Sequence, residues 1–116
     1  LDTDCLTLKP LHRLRKLANS DEAVNVYAKD PQPYPYSISK EQIQKNFGVD
    51  IIPYFCAGFC VINGQTINLN IIEKWLSTPG YPSSCHYAEQ TITAALVSQS
   101  ATVMLPDNEY NTGRLY

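Results

Sequence analysis

A chain of 116 residues is one domain's worth of sequence, and a chain of this size buries roughly two-thirds of its unfolded surface, enough for a modest core. Apolar residues make up 44% and charged ones 17%, and nine basic against eleven acidic side chains leave a net charge of -2. That balance argues against binding driven by phosphate neutralisation, and no stretch reaches the roughly 18 apolar residues of a membrane span. Sparse charge with eight tyrosines and abundant Asn, Gln, Ser and Thr leans towards extracellular and adhesive proteins. A start at Leu1 rather than Met is consistent with a removed targeting segment, and equally with an excised domain.

In chain order, Thr7 to Asn19 reads as a helix, because Leu8, Leu11, Leu14, Leu17 and Ala18 recur at three- and four-residue spacing and Pro10 fits its first turn. His12, Arg13, Arg15 and Lys16 on that stretch read as a solvated face. Ala23 to Ala28 alternates and carries β-branched residues, which predicts a strand. Residues 30–37 form a proline-rich connector, in which Pro31, Pro33 and Pro35 alternate with polar and tyrosine residues. The stretch reads first as a stiff surface loop; the functional alternative is that exposed Tyr34 and Tyr36 form a contact ledge for a partner.

Lys40 to Phe47 carries the clearest helix signal: Ser39 caps, Gln42 closes a capping box, Ile38 staples onto Ile43 and Gly48 supplies a left-handed stop. Val49 to Phe55 is strand-like, with Pro53 at an edge or bulge. Residues 59–62 and 65–69 flank Asn63-Gly64, a pair that favours the type I′ turn of a hairpin. Asn70 is then expected to cap a short helix with Glu73 at its capping-box position, Trp75 and Leu76 facing inward, and Thr78-Pro79-Gly80 as its end. Ser84 to Ser98 predicts a further helix whose small residues allow close packing on a sheet, and Ala101 to Leu105 a final strand. Residues 106–116 read as a polar tail. The expected fold is a single α+β domain: a small antiparallel or mixed sheet with a central Asn-Gly hairpin, packed by three to four short helices and stabilised by disulfides.

Four cysteines, Cys5, Cys56, Cys60 and Cys85, imply two disulfides in an exported chain. In an extended strand Cys56 and Cys60 stand about 13 Å apart, whereas a disulfide needs Cα atoms within about 7 Å. Each is therefore expected to reach Cys5 or Cys85, in bridges contributing about 3 to 4 kcal/mol apiece. Free buried thiols are one alternative. A metal site from Cys56, Cys60, Cys85 and His86, with Cys5 and His12 in reserve, fits zinc spacing poorly, so no metal and no cofactor is expected.

No phosphate loop, nucleophile elbow or HExxH element is present. His12 and His86 are the candidate acid/base groups. The Cys5 helix followed by Tyr34-Pro35-Tyr36 resembles small fungal guanyl-type ribonucleases, although the histidine soon after Tyr-Pro and the arginine in a Gly-rich strand are both missing. Cys56-x3-Cys60 is similar to insect odorant-binding proteins, whose all-helical fold the hairpin signal opposes. The helix-to-strand run from Thr91 to Leu105 looks like secreted toxin binding subunits in pattern. The expected function is that of a secreted binding protein, an effector or toxin-like factor that recognises a protein or cell-surface partner without catalysis. A small secreted ribonuclease-like hydrolase and a structural subunit of an extracellular assembly are the alternatives.

Overall fold

In the computed structural model the residues described are 24–82 and 84–106, together with Lys16 and Tyr110. The fold is α+β: a three-stranded mixed sheet with three helices among the described residues. The order is β1 (Asn25–Lys29), α1 (Lys40–Phe47), β2 (Phe55–Val61), a short 3-10 turn (Gly64–Thr66), α2 (Leu69–Leu76), α3 (Ala88–Val97) and β3 (Thr102–Met104). The helix expected over Thr7 to Asn19 lies outside the described residues apart from Lys16, which is helical. Among the described residues no helix is long and apolar enough to cross a membrane.

β1 is the central strand, antiparallel to β2 and parallel to β3. Its alternating side chains serve two cores. Tyr27 packs with Phe55 and with Ile43, Phe47, Trp75 and the apolar side of α3, while Val26 and Ala28 point the other way to Leu105, Tyr110, Phe59 and Val61. Small residues let α3 lie close on the sheet, and Ala94, Ala95 and Val97 are fully buried. The Phe47 ring stacks on Trp75 with centroids 4.8 Å apart, which ties α1 to α2.

α1 forms as its sequence dictates. Ser39 Oγ accepts the Gln42 N–H at 3.2 Å, Gln42 Oε1 accepts the Ser39 N–H, and Gly48 takes φ 69° to end the helix. Other expectations are corrected. Residues 49–54 form no strand, because their backbone groups bond to side chains and turns rather than to a ladder. The Asn-Gly hairpin is absent. Asn63 sits at φ -66°, where a type I′ turn requires positive φ, and its carboxamide caps the 3-10 turn by accepting the Gln65 N–H at 2.9 Å. Asn68, not Asn70, caps α2, accepting the Ile71 N–H at 3.2 Å; Trp75 is buried but Leu76 is exposed. The last helix starts at Ala88, since Tyr87 offers no capping side chain and residues 84–87 turn.

The turn at Asn63 follows from a buried group on β1. Asn25, fully buried, accepts the Asn63 N–H at 2.8 Å and the Thr66 hydroxyl at 3.1 Å through Oδ1, and its Nδ2 donates to Thr102 Oγ1 at 3.4 Å. One carboxamide thus joins β1, the 3-10 turn and β3. Replacing Asn25 with Ala should cost about 2 to 3 kcal/mol in urea unfolding, because the Asn63 N–H and Thr66 hydroxyl lose a shared acceptor. A loss under about 0.5 kcal/mol would show that the turn holds without it.

Candidate functional site

The β1–β2 ladder slips between Tyr27 and Lys29. Tyr27 faces Cys60 and Lys29 faces Phe55, so β2 advances five residues while β1 advances two. The surplus forms a bulge at 56–59 that reverses the phase of β2: Phe55 and Ala57 pack towards the helices, Phe59 and Val61 towards the opposite core. Gln90 of α3 bridges the bulge to the connector, with Oε1 accepting the Ala57 N–H at 2.9 Å and Nε2 donating to Pro35 O at 3.0 Å. Thr91, one residue on, accepts the Ser37 N–H at 2.8 Å and donates to Tyr87 O, so the Ser37 hydroxyl within 3.1 Å is left as a donor to it. The proline-rich connector is therefore pinned to α3.

Tyr36 and Tyr34 separate in role. Tyr36 is buried rather than exposed on a ledge: its hydroxyl donates to Ile52 O and accepts the Phe55 N–H at 3.1 Å. Two hydrogen bonds to backbone at the entry of β2 pull the ring inward. Tyr34 is exposed, stands edge-on to Tyr36 with centroids 4.8 Å apart, and donates to Ile38 O at 2.6 Å. Tyr34 alone of the pair offers contact surface.

The turn before α3 carries Cys85 and His86, both exposed, with the His86 ring centroid 4.9 Å from that of Tyr87. Cys56 and Cys60 lie half-buried on the bulged strand, where Cys60 Sγ donates to Ala57 O at 3.4 Å. No disulfide appears among the described residues, and Cys85 is a free thiol. This corrects the expected disulfide-stabilised core for the described part of the chain. Stability there comes from the apolar clusters and the side-chain bonds to backbone. Cys5 and His12 lie outside the described residues. Among the described residues no three of His, Cys, Asp and Glu converge on a point that would hold a metal ion.

Sequence reasoning did not mark the surface of α2. Leu69 and Leu76 are exposed there, and Ile67 just before the helix; the signal was present in the apolar excess of a helix that has only Trp75 fully inward. α1 instead carries a charged surface, with Lys40 and Asp50 paired at 3.3 Å beside Glu41, Gln44 and Lys45.

Burial raises the pKa of Tyr27, Tyr34, Tyr36 and Tyr81 above the ordinary phenol value, with Glu41 adding to the effect at Tyr34. Tyr36 shifts most, although the bond from the Phe55 N–H opposes the rise. A raised folded pKa means that the unfolded chain loses its proton first. Stability is thus full below about pH 10 and falls as pH climbs above it. Replacing Tyr36 with Phe should flatten that alkaline decline and cost about 1 to 3 kcal/mol at neutral pH, where the Phe55 N–H loses its acceptor. An unchanged alkaline slope in urea titrations would assign the effect to the other three rings. Brief alkylation of native protein should label Cys85 ahead of Cys56 and Cys60, as peptide mapping would read.

The chain matches no protein-family model, no curated protein and no solved structure.

Proposed function

We propose that this chain is a secreted binding protein, an effector or toxin-like factor that recognises a protein or cell-surface partner without catalysis. The observation that carries the reading is the apolar exposure along and just before α2, where Leu69 is 74% and Leu76 46% exposed on the helix and Ile67 51% on the turn that precedes it. Leu69 and Leu76 are seven residues apart and share one side of the helix, while buried Trp75 anchors the other. Single exposed leucines are ordinary. Two exposed leucines on one side of the helix, with Glu73 between them on the same side and exposed Ile67 just before the helix, make a mixed apolar and acidic recognition patch.

Two further features support the reading. The anchored helix presents the patch in a fixed geometry, which lowers the entropy cost of binding. Tyr34, exposed on a connector stiffened by three prolines, supplies area and a hydroxyl at little conformational cost. The sparse charge and tyrosine-rich composition support export.

The test is saturable binding of labelled protein to intact cells. The double substitution Leu69→Asp with Leu76→Asp should weaken that binding by about tenfold or more while leaving circular dichroism and the thermal midpoint intact. Equal binding by both proteins would remove α2 from the interface. RNA hydrolysis by the native chain, abolished by His86→Ala, would replace the recognition reading with the hydrolase one.

A further inference from the structure

A second surface is defined by backbone rather than by side chains. In the parallel β1–β3 ladder the Asn25 N–H donates to Ala101 O at 2.9 Å and the Leu105 N–H to Tyr27 O at 2.8 Å, with Val26 level with Val103. Strand alternation then turns the backbone groups of Ala101, Val103 and Leu105 towards β1, and sends the N–H and C=O of Thr102 and Met104 outward. No strand lies beyond β3 among the described residues. Val103 is 53% exposed and Met104 44%.

Edges of this kind are normally blunted by a lysine, a proline or a bulge. Residues 100–105 contain no charged residue and no proline, and Pro106 falls just after the strand. The opposite edge of the sheet is different: β2 is bulged, and its Cys56, Gly58 and Cys60 are already engaged. β3 is also held ready in extended form. The Thr102 hydroxyl donates to Val97 O at 2.6 Å, fixing the strand to the end of α3, and Leu105 is buried at its other end.

We propose that the outer edge of β3 pairs with the same edge of a second copy of this chain, antiparallel about a two-fold axis through Val103. The occupant follows from the register. Around that axis Thr102 of each copy faces Met104 of the other. These are the two residues whose backbone groups point outward, so four intermolecular hydrogen bonds form and none of those groups is left over. The two Val103 side chains meet at the closely spaced position, with Cα atoms about 4.5 Å apart. No charge in the strand opposes its own copy. The contact is isologous and closes at the dimer, doubling the sheet. A three-residue contact buries far less than the roughly 1,200 Å² of a stable interface, so the dimer is weak and builds up at high protein concentration. It does not depend on the recognition patch of α2.

Sedimentation velocity on the full chain, from about 10 µM to about 1 mM, tests this. The native protein should pass from monomer to dimer across that range. Val103→Lys sets two ammonium groups at the axis and should weaken the dimer by about tenfold or more. Met104→Pro removes two of the four hydrogen bonds at an edge position that tolerates proline, and should also weaken it. Leu69→Asp should leave it unchanged. Circular dichroism confirms that each variant is folded. A monomer throughout, a dimer indifferent to both β3 substitutions, a dimer lost with Leu69→Asp, or assembly beyond two copies would each overturn the proposal.

Discussion

A single buried carboxamide sets the frame of this structure. Asn25 lies in the central strand, where an unpaired polar group would cost about 1 to 3 kcal/mol, and it finds its partners on two other segments at once. The requirement works in both directions. Asn25 must be satisfied for β1 to be buried, and satisfying it brings the chain after β2 back over the sheet and holds Thr102 at the start of β3. The turn at Asn63, the placement of α2 and the edge position of β3 all follow from where those bonds lie.

The same economy governs the stretch between α1 and β2. Its backbone has no neighbouring strand, so side chains and connector carbonyls do the work of one. Ser98 takes the Ile52 N–H at 2.9 Å, Tyr27 donates to Pro53 O at 3.1 Å, and the Tyr54 N–H reaches Pro33 O. Tyr54 itself adopts φ 59°, a left-handed conformation that costs a residue with a Cβ about 1 to 2 kcal/mol. Lys29 Nζ lies 4.6 Å from the centre of its ring, and the Asp30 N–H donates to its carbonyl at 2.8 Å, contacts that hold it there. Buried hydroxyls and amides therefore substitute for sheet pairing across a whole connection, which explains how a chain poor in charge keeps its backbone satisfied.

What could be read in advance divides along the same line. α1 was legible to the residue because its signals are local: Ser39, Gln42 and Gly48 act on groups within a few positions. β1 and β3 were legible because runs such as Asn25–Ala28 suit a buried strand wherever it sits. The hairpin misled because Asn63-Gly64 is a turn signal only while nothing distant competes, and Asn25, 38 residues earlier, captures the Asn63 N–H. The bulge was invisible for a related reason. Phe55, Ala57, Phe59 and Val61 share one parity and read as one face, whereas three surplus residues opposite Tyr27 and Lys29 send them to two. For the candidate surfaces, Tyr34 was identifiable and Tyr36 was not, since only the fold shows which of two neighbouring rings meets the backbone of Phe55.

Because β3 pairs with β1 in parallel across 77 residues, as from Asn25 to Thr102, the sheet closes only when the far end of this region has been synthesised. A chain emerging from the ribosome would hold α1, with its self-contained caps, long before β1 has both neighbours. During that interval the central strand, with its buried asparagine unmatched, exposes the very surface that later becomes its interior. Such non-local closure slows folding and lengthens the time spent open to misassociation. The length of that exposure is thus a consequence of this topology, set by the order in which the strands are made rather than by the stability of the finished fold.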